Sequence, residues 1–265
     1  MITKRIIDEK GIDQTEDTVL VLGYFDGLHK GHQALFEKAR EIAAEQGLKI
    51  AVLTFPESPK LAFVRYQPEL MLHLASPEDR MAQLESLGVD YLYLIDFTSH
   101  FAGNTARDFF EKYVSRLRAK AVVAGFDYHF GSDRKESHEL RDYFNGKIVI
   151  VPSVNLDNRK ISSTRIRETI AAGDMLKTQE LLGYPLSTRG IVVHGNARGR
   201  TIGYPTANLA PLDRVLLPGD GVYVADVEHN GQRYRGMASV GKNVTFDGDE
   251  LRFEVNIFDF SQDIY

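Results

Sequence analysis

Two histidines three residues apart, His29 and His32, stand in a glycine-rich stretch running Val21-Leu22-Gly23-Tyr24-Phe25-Asp26-Gly27-Leu28-His29-Lys30-Gly31-His32. A helix beginning near Lys30 carries both imidazoles on its first turn, because residues three apart share a helix face. Together with unpaired backbone N–H groups and the positive end of the helix dipole, they suit an anion such as phosphate. A second polar cluster, Ile161-Ser162-Ser163-Thr164-Arg165-Ile166-Arg167, also opens a helix. Its hydroxyls, amides and two guanidinium groups suit an oxyanion as well. Taken alone, that cluster reads equally well as a capped helix with surface arginines.

The elements that must position these groups alternate regularly. Thr18–Gly23, Leu48–Thr54, Val89–Asp96, Ala121–Gly125 and Lys147–Pro152 read as strands. They are apolar on both faces, as strands of a parallel sheet covered on both sides are. Helices are expected at 32–46, ended by Gly47, and from Pro77 to Gly88. Further helices are expected from an Asn104 cap to about Arg118, near 137–145, after Ser162, and from Asp174 to Leu182. Residues 1–17 read as an edge strand and a loop. Past Gly183-Tyr184-Pro185 the helical periodicity stops. Ser187–His194, Gly221–His229, Gln232–Val240 and Leu251–Phe260 read as strands, with a hairpin turn at His229-Asn230-Gly231. The expected fold is therefore an α/β, Rossmann-like parallel-sheet domain over 1–184 followed by an all-β barrel over 187–265. Both oxyanion clusters then lie at carboxyl ends of parallel strands, where open α/β sheets bind ligands.

Composition narrows the function classes. At 265 residues with 43% hydrophobic and 26% charged side chains, the chain is of the soluble globular kind. A formal net charge of -5 argues against a general nucleic-acid binder. The absence of cysteine excludes disulfides and thiolate metal sites and fits a reducing cytoplasm. No apolar run approaches the ~20 residues of a membrane span, and no apolar segment of signal-peptide type follows Lys4 and Arg5. The expectation is a cytoplasmic monomer or weak homo-oligomer that acts on small molecules, without nucleic acid or membrane partners.

The GxFDGxHxGH pattern from Gly23 to His32, with the SSTRIR cluster, resembles the nucleotidyltransferase superfamily. The second half carries Gly195-Asn196-Ala197-Arg198-Gly199-Arg200-Thr201-Ile202-Gly203-Tyr204-Pro205-Thr206-Ala207-Asn208-Leu209, which resembles the GRxxGxPTAN signature of riboflavin kinases. Both in this order, over essentially the whole chain, resemble the bacterial bifunctional riboflavin kinase/FMN adenylyltransferases, or FAD synthetases. The resemblance implies ATP as co-substrate, riboflavin, FMN and FAD as substrates or products, and Mg²⁺ in both steps. It implies that His29 and His32 stabilise the ATP phosphates and that Gly23, Phe25 and Asp26 shape the nucleotide pocket. Ser163, Thr164 and Arg167 are implied to hold phosphate. The stretch Val122–Gly131 resembles the family's flavin-bordering loop, which makes Asp127 the expected polar contact. Phe126, Tyr128 and Phe130 are there either as stacking rings or as core aromatics.

Two departures from the family pattern stand out. Pro56-Glu57-Ser58-Pro59 lacks the family's histidine, and Ser132-Asp133-Arg134 replaces a glycine-rich continuation. In the kinase half, Gly195, Gly199 and Gly203 allow close approach to phosphate. Thr206 and Asn208, two apart in an extended segment, point to one side as hard oxygen ligands for Mg²⁺. The resemblance makes Glu254 the base for the riboflavin 5′-hydroxyl, whereas strand alternation alone makes it a surface carboxylate. The family's kinase module continues past the position of Tyr265. An adenylyltransferase whose second half only binds flavin or regulates is the alternative reading, and another phosphorylated acceptor is a second.

Overall fold

In the computed structural model the described residues are 1–195, 204–242 and 251–264. The first half runs Ile2–Ile6 (β1), Thr18–Leu22 (β2), Lys30–Gln46 (α1), Lys49–Thr54 (β3), Pro77–Ser86 (α2), Tyr91–Ile95 (β4), Ser99–Ala102 (α3), Ala106–Phe109 (α4) and Ala119–Gly125 (β5). It continues through a short pair, His129–Phe130 (β6) and Lys135–Glu136 (β7), then Lys147–Val151 (β8), and a second short pair, Asn155–Leu156 (β9) and Arg159–Lys160 (β10). The expected parallel sheet is present. Its order is β1-β4-β3-β2-β5-β8, with every pairing parallel.

Every residue of β2 is buried, because this strand is covered on both faces. Side-chain alternation divides it between two cores. Val19 and Val21 pack with Phe36, Ala39 and Ile42 of α1, while Leu20 and Leu22 pack with Phe109, Tyr113 and Leu117 on the other face. The chain steps from β2 outward to β3 and β4, then returns to β5 on the opposite side of β2. This reversal is a topological switch point between the carboxyl ends of β2 and β5, where open α/β sheets bind ligands. The HxGH turn leaves one of these ends and the Phe126–Phe130 loop leaves the other.

Helix α1 starts at Lys30, two residues earlier than its apolar spacing suggests, since His29 is its cap. Gly47 closes it in the left-handed conformation, with φ 65°. The expected Asn104 cap is corrected. Thr105 caps α4 in a capping box with Asp108, and the Asn104 amide instead donates to the carbonyls of His100 and Phe101 at 2.9 and 3.0 Å. Nor is 105–118 one α-helix: a π-helical turn, Phe110–Val114, follows α4. Phe101, Phe109, Phe110 and Tyr113 all enter the core there, and the wider turn accompanies that crowding.

The second half contains Ser163–Ala171 (α5), Met175–Leu182 (α6), Gly190–Val193 (β11), Ala207–Pro211 (β12), Gly221–His229 (β13), Gln232–Lys242 (β14) and Leu251–Ile257 (β15). It is the expected all-β region preceded by two helices. The antiparallel sheet has the order β11-β12-β15-β14-β13, and among the described residues β11 and β13 are its edges. Asn230 and Gly231, with φ 51° and 75°, make the two-residue turn between β13 and β14.

The residues group into two units. One comprises Met1–His73, Pro77–Ser163 and Leu181–Gly183; the other comprises Leu74–Ser76, Thr164–Glu180 and everything from Tyr184. Within the second, the Gly219 N–H donates to the Ile170 carbonyl at 2.9 Å, which ties α5 to the segment before β13.

Candidate active site

The turn after β2 is strained and filled. Phe25, Gly27 and Leu28 have φ 59°, 72° and 38°, and left-handed backbone at a non-glycine residue costs about 1–3 kcal/mol. Packing holds it, because Phe25 and Leu28 are both fully buried. The Phe25 ring lies edge-on to His32, with centroids 5.3 Å apart, and tilts against Phe36 at 5.2 Å. Gly23 is needed because a Cβ there would stand 2.7 Å from the Phe25 ring. Phe25 therefore shapes the turn beneath His32, and Asp26 beside it is buried.

His29 and His32 stack with centroids 3.7 Å apart and planes 14° from parallel. As the cap of α1, His29 accepts through Nδ1 from the His32 N–H at 3.3 Å. A Cβ at Gly31 would approach the His29 ring to 3.1 Å, so glycine keeps the ring in place. Burial pushes the His29 pKa down to about 4, against a smaller opposing effect of Asp26. Burial pushes His32 well below the imidazole range too, helped by His29, Arg80 and Lys160. Both rings are therefore neutral near pH 7. His32 Nδ1 is enclosed and has no hydrogen-bond partner. Neutral imidazoles at a helix N-terminus can donate to phosphate oxygens without first losing charge.

Sequence reasoning missed the support behind this turn. Arg80 of α2 is buried. Its guanidinium donates to the Tyr24 carbonyl, to the Phe55 carbonyl at 2.8 Å and to the Thr54 hydroxyl at 2.7 Å. It also sits over the Tyr24 ring at 5.1 Å. One arginine thus ties together the chain segments that leave β2 and β3. A histidine also reaches this edge from elsewhere in the sequence. His73 meets the Tyr24 hydroxyl at 3.1 Å and Glu57 at 3.3 Å. Glu57 belongs to the Pro56–Pro59 stretch that lacks the family's histidine.

On the β5 side, Phe126 is 44% exposed and Asp127 is open to solvent. Tyr128 instead stacks on Phe130, with rings 6.2 Å apart and 9° between planes, against the core. Burial raises its phenol pKa. Of the three aromatics in this loop, Phe126 is the one presented to a ligand. Lys160, which the motif reading passed over, pairs with the Asp127 carboxylate and lies 4.5 Å from the Phe126 ring centroid. The departure after Gly131 has a structural use: Asp133 accepts from the Ala106 N–H at 2.8 Å.

The SSTRIR cluster is placed residue by residue. The Ser163 hydroxyl reaches the Asp26 carbonyl at 3.5 Å, which brings the cluster's start to the HxGH turn. Thr164 is exposed, Arg165 buried and Arg167 half-buried in the first turns of α5.

In the second unit, Thr206, Asn208 and Glu254 come together. Asn208 and Glu254 are directly paired across β12 and β15, so their side chains share a face. The Thr206 hydroxyl lies 3.4 Å from Glu254 Oε2. Glu254 is about one-third exposed and faces Thr206. Glu254 thus stays partly exposed, as alternation expects, but shares its face of the sheet with Asn208 and meets Thr206 there. A Cβ on Gly195 would overlap the Asn208 side chain, so glycine brings that backbone onto it. Gly199 and Gly203 lie outside the described residues. A hydroxyl, an amide oxygen and a carboxylate are the hard donors Mg²⁺ takes alongside substrate phosphates, so these residues fit that ion. Among the described residues there is no cluster of three or more His, Cys, Asp or Glu side chains for a metal.

Comparison with known proteins decides the family. Residues 11–165 match the FAD synthetase family model and residues 182–265 match the riboflavin kinase model. The chain belongs to the bifunctional riboflavin kinase/FMN adenylyltransferase family. Within this family, the protein of that name from Listeria monocytogenes is 41% identical over 251 residues, covering 93% of this chain and 80% of its own. The Bacillus subtilis member is 37% identical over 259 residues, covering 96% and 82%. A solved structure from Streptococcus pneumoniae, described as a macrolide-efflux protein, is 58% identical with a TM-score of 0.96, covering all of this chain and 87% of that one. Among the described residues of the present chain, no helix is long and apolar enough to cross a membrane.

Proposed function

We propose that residues 1–184 transfer the adenylyl group of ATP to FMN, giving FAD and pyrophosphate, and that residues 187–265 phosphorylate riboflavin to FMN. The observation that carries the first half is the stacked, neutral His29–His32 pair at the sheet's switch point in a chain of this family. An FMN phosphate oxygen attacks the α-phosphorus of ATP in line, and the bond to pyrophosphate breaks. The protein forms no covalent intermediate, so its task is to position two anions and to stabilise developing charge. His29 and His32 donate to the phosphate oxygens. Gly23, Phe25 and Asp26 shape the nucleotide pocket and Ser163 adds a hydroxyl beside the turn, while Thr164 and Arg167 are assigned as phosphate donors on the sequence motif alone. Phe126 offers a stacking face to the isoalloxazine and Asp127 a polar contact; Tyr128 supports that loop through Phe130.

In the second half, Glu254 takes the proton of the riboflavin 5′-hydroxyl. Thr206 and Asn208 would hold Mg²⁺, which supplies charge neutralisation on the transferring phosphate. Gly195 lets backbone approach phosphate. The net charge of -5 fits work on small molecules rather than on nucleic acid, and a monomer or weak homo-oligomer in the cytoplasm remains the reading of the sequence. Incubation with FMN, ATP and Mg²⁺, followed by chromatography, is expected to give FAD and pyrophosphate. Finding neither refutes the first half. Riboflavin and ATP test the second in the same way, with FMN as the expected product.

A further inference from the structure

Lys160 occupies both flavin contacts at once. Its ammonium pairs with the Asp127 carboxylate and lies over the face of Phe126, 4.5 Å from the ring centroid. Those are the one exposed ring and the one carboxylate that the loop after β5 offers to a flavin. A ligand cannot stack on Phe126 or hydrogen-bond to Asp127 in the same place while the lysine remains there.

The backbone carrying Lys160 is well fixed. It ends the β9–β10 hairpin, whose two-residue turn, Asp157-Asn158, has φ 53° and 58°. That is the turn whose twist matches its strands. The Ile161 N–H closes the hairpin's base on the Val154 carbonyl at 2.9 Å. Movement is therefore confined to the side chain, which is 40% exposed and carries a flexible four-carbon stem. Its charge already reaches the catalytic turn, since it helps to hold both His29 and His32 in their neutral form. The ammonium stands between two anionic attractors. One is Asp127, present at all times. The other is the triphosphate that arrives with ATP, which carries more charge than a single carboxylate.

The geometry points to Lys160 as a substrate-exchanged cation: nucleotide phosphate draws it from Asp127 and Phe126, and its departure opens the flavin site. This rests on the adenylyltransferase reading above. It makes nucleotide and flavin binding positively coupled, and by linkage the coupling is reciprocal. It also assigns a cost to flavin binding first, because FMN must then displace an ion pair from its own site.

FMN affinity, read by quenching of flavin fluorescence, is measured with and without α,β-methylene-ATP on the full chain. In the parent protein the analogue is expected to tighten FMN binding about fivefold or more. Lys160→Met is expected to bind FMN more tightly than the parent without nucleotide, and to show a coupling factor near one. Lys160→Arg, which preserves the charge, is expected to restore most of the coupling. Equal coupling in the parent and Lys160→Met, or none in the parent, overturns the proposal. FAD formation by the parent is measured in parallel. If FAD forms and the coupling is unchanged by the substitution, the exchange alone is wrong. If no FAD forms, the adenylyltransferase reading fails and the exchange with it. Thermal melts of both variants separate misfolding from lost coupling.

Discussion

The rings of His29 and His32 lie face to face, 3.7 Å apart, and each is held neutral mainly by burial. Two imidazolium ions at that separation would repel, and the proposed mechanism uses the pair as neutral donors. Replacing either by alanine is expected to lower the turnover of FAD synthesis by about 10²–10³-fold, as removal of a preorganised donor does, with a smaller change in KM. Steady-state kinetics against FMN and ATP check this, and an unchanged turnover would remove the histidines from the mechanism.

The same burial ties stability to pH. His29 has a folded pKa of about 4, lowered by burial from the ordinary imidazole value of 6.5. Below pH 6.5 the unfolded chain takes up a proton that the folded chain refuses. The contribution is therefore complete above pH 6.5 and drains away as pH falls towards 4, by up to about 3 kcal/mol for this group. Urea melts of ligand-free protein between pH 7.5 and 4.5 should show the decline, and His29→Gln should make it shallower, leaving the share of His32.

Arg80 satisfies the carbonyls of Tyr24 and Phe55 and the hydroxyl of Thr54 in a buried place. Arg80→Met leaves these acceptors without their donor. A loss on the order of 3 kcal/mol in unfolding free energy is expected, with weaker ATP binding as the turn loosens. Chemical denaturation and isothermal titration would measure the two. A variant as stable as the parent would show that the guanidinium is dispensable.

Gly23 is packed against the Phe25 ring. Gly23→Ala forces that ring to move, at a cost of roughly 1–3 kcal/mol, and tilts it away from His32. Both the melting temperature and the rate of FAD formation should fall. Gly47→Ala serves as comparison, since open space surrounds that glycine: it should lose some stability through its φ of 65° but leave catalysis intact.

Glu254 and the HxGH histidines belong to different units. Glu254→Gln is expected to cut riboflavin phosphorylation by about 10²–10⁴-fold while FAD formation from supplied FMN stays at the parent rate. A coupled loss of both activities would contradict the two-domain assignment.

Much of this protein is determined by local chemistry. The apolar strands, the Gly47 stop and the Asn230-Gly231 turn follow from residue type and period, so they could be read without a structure. The HxGH turn likewise suggests an anion site from sequence alone, because the spacing of two histidines on one helical turn is a local matter. Tertiary structure decided what crosses between strands. That β5 returns beside β2 depends on crossovers that no short stretch encodes, and it is this return that makes the switch point. Arg80, His73 and Lys160 carry no motif. They matter because α2, the segment ahead of it and the β9–β10 hairpin end beside loops distant in sequence. Glu254 reads as a surface carboxylate until pairing of β12 with β15 sets Asn208 beside it and Thr206 against it. Spacing along a chain reports which side chains share a face; only packing between elements decides what that face meets.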